Sequence, residues 1–173
     1  MATPKITVKD LGYATIISEL LKLETTFVTV GVHQAEAGGQ DARNNALIGS
    51  VHEFGTSPGI EPVIPERSWL RSTMDSRRSD IGTVIAKAKD KVVSTKGRFT
   101  AEDAGKVLAL WIQGAVVSTI QKGREDWPSL AESTVRRKKS SRPLIHSGQF
   151  VGSIRAVTHT GGRPSVDDDV RGR

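Results

Sequence analysis

The sequence has no cysteine. That excludes disulfides, thiolate metal sites and a cysteine nucleophile. Aromatic residues are scarce, at 5%, and all apolar residues together reach only 36%. The core is therefore expected to be thin, as in proteins that complete their fold within an assembly. No window approaches the ~18 apolar residues that would cross a bilayer. Met1-Ala-Thr-Pro-Lys5 lacks the basic stretch and apolar run of a secretory signal. The protein is expected in a cytoplasm, or released from one, with no membrane contact. No phosphate loop, dinucleotide fingerprint or internal repeat is visible, and no cofactor or small-molecule substrate is expected.

What is present is basic. The formal net charge is +6 over 173 residues, enough chain for one domain that buries roughly 70% of its unfolded surface. The densest cluster is Arg136-Arg-Lys-Lys-Ser-Ser-Arg142, that is Arg136, Arg137, Lys138, Lys139 and Arg142. It reads as a solvated helix end or as a contact for an acidic partner. Direct DNA readout fits less well, because no aromatic residues interleave to stack on bases. Asp167-Asp-Asp169 balances part of the charge at the other end and reads as a solvated tail.

Periodicity places the elements. Leu11, Ala14, Ile17 and Leu21 recur at helical spacing, so residues 10–24 read as an amphipathic helix with Asp10 as candidate N-cap. Phe27-Val-Thr-Val-Gly-Val-His33 alternates as a strand with Val28, Val30 and Val32 on one face. Residues 34–45 read as a flexible loop and residues 46–53 as a short helix. Pro58, Pro62 and Pro65 make residues 54–64 a stiff loop that projects. Pro65 is expected to open a helix running to about Val92, striped by Leu70, Met74, Ile81, Ile85, Ala88 and Val92 and interrupted by Arg77. Thr100-Ala-Glu-Asp103 resembles a capping box and opens a second long helix to about Gln121, stopped by Gly123. Its expected buried stripe is Ala104, Leu108, Trp111, Ala115 and Thr119, flanked by Val107, Ile112 and Val116. A short helix from about Ser129 and a strand over residues 153–160 follow. The predicted class is α+β: a small, mostly antiparallel sheet packed with two long helices and shorter ones. Residues 1–160 are expected to form a single domain with a loop projecting at about 54–66, and residues 161–173 a polar tail.

Catalytic strings fail on their chemistry. Gly55-Thr-Ser-Pro-Gly59 matches a serine nucleophile elbow, but Pro58 has no N–H to give an oxyanion hole. His52-Glu53 is half of a zinc-protease motif whose second histidine would stand at Thr56. His33, His52, His146 and His159 are scattered, and Glu61 and Glu66 share a loop without an evident cleft. No catalytic, cofactor or metal residues are assigned, and the chain is not expected to be an enzyme.

Three blocks do resemble a known family. The first is Asn45-Ala-Leu-Ile-Gly-Ser-Val-His-Glu-Phe-Gly-Thr56 and the second is Ile64-Pro-Glu-Arg-Ser-Trp-Leu-Arg71. The third joins Trp127-Pro-Ser-Leu-Ala-Glu-Ser-Thr134 to Pro143-Leu-Ile-His-Ser-Gly-Gln-Phe-Val-Gly-Ser-Ile154. In this order they are similar to the virion morphogenesis proteins of tailed bacteriophages, which complete the neck or tail. Ser68 and Trp69 stand where that family usually has Pro and Phe, and His146 where an acidic residue is common.

The resemblance implies a structural virion protein that acts by binding. It implies a homo-oligomeric ring at the head–tail junction or tail end, in a neck, tail-completion or tail-terminator role, assembled in the host cytoplasm. Its partners would be further copies of itself and neighbouring neck, portal-side or tail-tube proteins, with DNA passing nearby. A ring needs one surface to meet a different surface on the next copy. Candidate assembly residues are Glu53, Phe54, Pro58, Pro62, Arg67, Trp69 and Arg71. Phe54 and Trp69 read as anchors in a neighbour's pocket or as core within one subunit. Arg67 and Arg71 read as partners for carboxylates across a contact or as a solvated helix face. The alternative function is a basic accessory protein that binds nucleic acid.

Overall fold

In a computed structural model of the chain, the residues described are 11–33, 40–60, 62–138, 141–145 and 147–162. They form seven helices and two strands: α1 (Tyr13–Glu24), β1 (Phe27–Val32), α2 (Gln40–Phe54), α3 (Arg71–Ser76), α4 (Arg78–Ser94), α5 (Ala101–Lys122), α6 (Glu132–Lys138), α7 (Gln149–Gly152) and β2 (Ile154–His159). The class is α+β, as the sequence predicts. The expected Asp10 cap and the 161–173 tail, beyond Gly162, lie outside the described residues, as do Glu61, Lys139 and His146.

The two strands pair antiparallel, with Phe27 opposite His159 and Val32 opposite Ile154. This small sheet packs on α5, which also contacts α1, α3 and α4; α2 packs on β1 and α7. The core joins Trp69, Ile112, Val116, Ile120, Leu144, Phe150 and Ile154. Burying these side chains is the main favourable term in folding.

α5 begins at the expected capping box. Thr100 Oγ1 accepts from Asp103 N, and the Asp103 carboxylate accepts from Thr100 N. Glu19 of α1 adds a second cap by accepting from Ala101 N at 2.9 Å. Together they occupy N–H groups that no helix can bond internally. Gly123 terminates the helix as expected. The buried stripe is rotated from the expected one: Ala101, Ala104, Gly105, Ala109, Ile112, Val116 and Ile120 are buried, while Val107 is exposed. These residues still recur at spacings of three and four, so one helical stripe is buried, turned toward the sheet, α1 and α4 that cover it.

Three other expectations are corrected. Residues 40–45 belong to α2 and not to a loop. The helix expected from Pro65 starts at Arg71, and it breaks at Arg77, which leaves helical geometry at φ −104° and ψ 9°. Arg77 is exposed and pairs with Asp80 at 3.0 Å, which it does from outside the apolar stripe. The late helix start has its cause in the site described next. The short turn α7, between Leu144 and β2, has no counterpart in the sequence reading.

Candidate functional site

The sequence block 51–71 folds as a helix end, a hairpin and a helix start. α2 delivers Glu53 to its own C-terminal turn, and Glu53 is buried there, at 4% exposure. Its Oε2 accepts from Trp69 N at 2.7 Å and Leu70 N at 2.8 Å. Its Oε1 accepts from Arg71 N at 2.9 Å, Ser68 Oγ at 2.9 Å and Arg71 Nε at 3.2 Å. α3 has no side-chain cap of its own. A carboxylate from another helix does that work and places negative charge at the positive end of the helix dipole. This explains why Pro65 does not open the helix. Arg67 N is already bonded to His52 O at 2.7 Å, so the chain stays extended until it reaches Glu53. Burial by itself pushes the Glu53 pKa up. The bonds from Leu70 and Arg71 N–H, Ser68 hydroxyl and Trp69 N–H outweigh that and hold it below 4.5.

Arg71 sits outside this cap. Its guanidinium also reaches Glu66 at 2.6 Å and lies over the Phe54 ring, 5.1 Å from the centroid. The hydrogen bond to Glu53 raises its pKa further. Arg71 and Phe54 are both exposed, and Phe54 is 65% accessible.

Between Phe54 and Arg67 the chain makes a closed hairpin. Thr56 N donates to Ile64 O, and Ile64 N donates to Thr56 Oγ1, both at 2.9 Å. At the tip, Ile60 N bonds Ser57 O at 3.1 Å, and Gly59 has φ +86°. Proline second and a positive-φ glycine third make a type II turn. Pro58, Pro62, Ile60 and Val63 are exposed on this stiff arm. Ser57, the serine of the elbow-like string, is an exposed turn residue.

Trp69 and Arg67 are placed differently from the exposed anchor and solvated cation that the sequence left open. Trp69 is 4% exposed; its indole N–H donates to Gly49 O at 2.9 Å, and its ring meets Phe150 edge-on at 5.3 Å. Gly49 permits this approach. A Cβ there would fall 3.0 Å from Phe150 and 3.2 Å from Trp69. Arg67 is also buried and donates from Nε to Pro128 O at 2.8 Å and from Nη2 to Ser129 O at 3.0 Å. Trp127 Nε1 donates to Ser68 O at 3.3 Å. Glu53, Arg67 and Trp69 are thus internal fasteners, whereas Phe54, Pro58, Pro62 and Arg71 remain at the surface.

The basic cluster does not present one face. Arg136 pairs with Glu132 on α6 at 3.4 Å, Lys138 Nζ donates to Arg142 O at 2.8 Å, and Arg142 reaches Gln121 O at 3.4 Å. Arg137 is exposed, and Lys139 lies outside the described residues. His52 lines a cleft beside Lys138, with its Nδ1 buried and without a partner among the described residues. Burial, then the charges of Arg67 and Lys138, push its pKa down to about 4.

Among the described residues, no group of three or more His, Asp or Glu side chains is placed to hold a metal ion. None of their helices is long and apolar enough to cross a membrane. Sequence reasoning missed that Glu53 caps a distant helix. The only signal for it was a carboxylate two residues before a glycine, in register with the helix end. No family model, curated protein or solved structure matches the chain.

Proposed function

We propose that the chain is a structural virion protein of a tailed bacteriophage. It forms a homo-oligomeric ring at the head–tail junction or tail end, in a neck, tail-completion or tail-terminator role. One observation supports this above the others: the three blocks that resemble the phage family meet in one place. Glu53 of the first block caps the helix that begins in the second. Arg67 of the second holds the Pro128 and Ser129 carbonyls of the third, and Phe150 of the third packs on Trp69. Residues with no mutual role would have no reason to converge. Ser68, which departs from the family's proline, is used as well, because its hydroxyl donates to Glu53.

The fastened junction holds out a rigid arm bearing Phe54, Ile60 and Val63, all exposed. A preorganised apolar arm has little entropy to lose on docking. Its partner would be the next copy in the ring. Catalysis is not part of this reading. Direct binding of nucleic acid gains no support from the basic cluster, two of whose cations are directed at backbone carbonyls.

Light scattering on size-separated protein, with negative-stain imaging of the same fractions and of particles grown on a portal or tail template, tests the reading. Rings, alone or on the template, are expected. A strict monomer under all these conditions, binding duplex DNA with a steep salt dependence, overturns it.

A further inference from the structure

β1 and β2 each have an inner edge, where they pair, and an outer edge. The Ala156 N–H points to the outer side of β2, because it donates to Gln113 Oε1 of α5 at 3.2 Å. In an antiparallel pair these directions alternate along each strand and match across it. Ala156 lies opposite Val30, so the N–H and C=O of Val30 also point outward, as do those of Val28 and Val32. Three donors and three acceptors therefore line the outer side of β1. Among the described residues, no group bonds any of them.

The two outer edges are not alike. On β2, Gln113 occupies Ala156 N, and the Arg155 guanidinium donates to Ile154 O at 2.9 Å. β1 has no such cover. Its sequence, Phe27-Val-Thr-Val-Gly-Val32, carries none of the charges or prolines that blunt an edge strand. Its half-buried valines face inward. Val30 and Val32 pack on the core, and Val28 lines an apolar hollow of about 90 Å³ with Leu23, Ile85 and Leu108. Ile85 is still 40% exposed there.

We infer that β1 pairs antiparallel with β1 of a second copy of the chain, joining two two-stranded sheets into one with the order β2-β1-β1-β2. A second copy closes the sheet. It leaves β2 outermost on both sides, where the edge is already covered, whereas a lone strand from another protein would present a new open edge. All the outward groups are used only when Val30 faces Val30 of the other copy, which puts Val28 opposite Val32. Each of these three pairs then exchanges two hydrogen bonds. Each also sets one β-branched side chain against another. The contact is twofold and stops at two copies. It is thus separate from the heterologous contact of the proposed ring and goes beyond that reading.

The chain has no cysteine, so single introduced thiols report the register. In the inferred pairing the two Val30 Cα atoms lie about 5.5 Å apart, within disulfide reach. The two Val28 positions are offset along the strands by about 13 Å. Full-length Val30→Cys is expected to cross-link into pairs under mild oxidation at least tenfold faster than Val28→Cys. Val30→Pro removes an N–H that no described group uses, so the chain keeps its own sheet. Sedimentation of this variant should show self-association weakened about tenfold or more. Amide exchange, read residue by residue, should show Val28, Val30 and Val32 protected at high protein concentration and open on dilution to monomer. If Val30→Pro fails to fold, cross-linking and exchange decide. Protection in the monomer, equal cross-linking at both positions, or unchanged association of folded Val30→Pro overturns the inference. Rings that form while Val30→Cys fails to cross-link remove this contact and leave the proposed function standing. Cross-linked pairs without rings keep the contact and count against the ring.

Discussion

Glu53 Oε2 receives the main-chain N–H of Trp69 at 2.7 Å, so the end of α2 fixes where α3 begins. The same device recurs at Glu19, which accepts from Ala101 N at the start of α5. Each carboxylate ties the packing of one helix to the registration of another. Glu53→Gln keeps the shape but turns an amide NH₂ toward donors that need an acceptor. It is expected to cost about 2–4 kcal/mol. Glu66→Gln, which loses an exposed pair to Arg71, should cost far less. Urea unfolding of both variants checks the difference. Equal losses would mean that the cap contributes no more than a surface ion pair.

Trp69 tests the core. Trp69→Ala should cost about 3–5 kcal/mol. Trp69→Phe keeps the ring and loses the bond to Gly49 O, so about 1–2 kcal/mol is expected. Gly49→Ala brings a methyl within 3.0 Å of Phe150, and overpacking of this kind costs about 1–3 kcal/mol. In thermal melts Trp69→Ala should be the least stable of the three. A stable Trp69→Ala chain that fails to assemble would return Trp69 to an interface role.

How much of this was legible follows from the range of each interaction. Local signals read well. The Thr100–Asp103 box, the Gly123 stop and the period-two strand at Phe27 depend on neighbours in sequence, and each lies where it was expected. The helix start at Arg71 was not legible, because its cap comes from Glu53 and Pro65 supplied a competing local signal. Arg67 was expected at a contact or on a solvated face and is buried instead, while Trp69 takes the core placement that the sequence had left open beside an interface one. Their partners, Pro128, Ser129 and Phe150, are far along the chain, and side-chain type alone does not distinguish a buried fastener from a surface anchor.

The pH dependence has a definite sign. The His52 pKa is held down to about 4 in the fold, against about 6.5 unfolded. The unfolded chain therefore takes up the proton first as the solution is acidified. Stability from this group is complete above pH 6.5 and falls as pH drops from there to about 4. The loss is about 2 kcal/mol after allowance for partial exposure. His52→Gln should flatten that window. The Glu53 cap, whose folded pKa lies below 4.5, contributes above that value and fails only at lower pH. Urea midpoints measured across pH 4–7 for wild type and His52→Gln separate the two, and identical slopes would remove His52 as the cause.

The hairpin arm separates assembly from folding. Phe54, Ile60 and Val63 are each more than half exposed, so little core packing depends on them. Phe54→Ser, Ile60→Ser and Val63→Ser together should leave the melting temperature within a few degrees, since exposed substitutions rarely exceed about 0.5 kcal/mol. The Thr56–Ile64 bonds and the Ser57–Ile60 turn persist in this variant, because they run through the backbone and the Thr56 hydroxyl. The arm therefore keeps its shape and loses only its apolar surface. If that surface docks on the next copy, assembly should weaken by about tenfold or more, since each 1.4 kcal/mol of lost burial is worth that factor. Sedimentation across a concentration series measures it. Unchanged assembly with unchanged stability would exclude the arm from the interface.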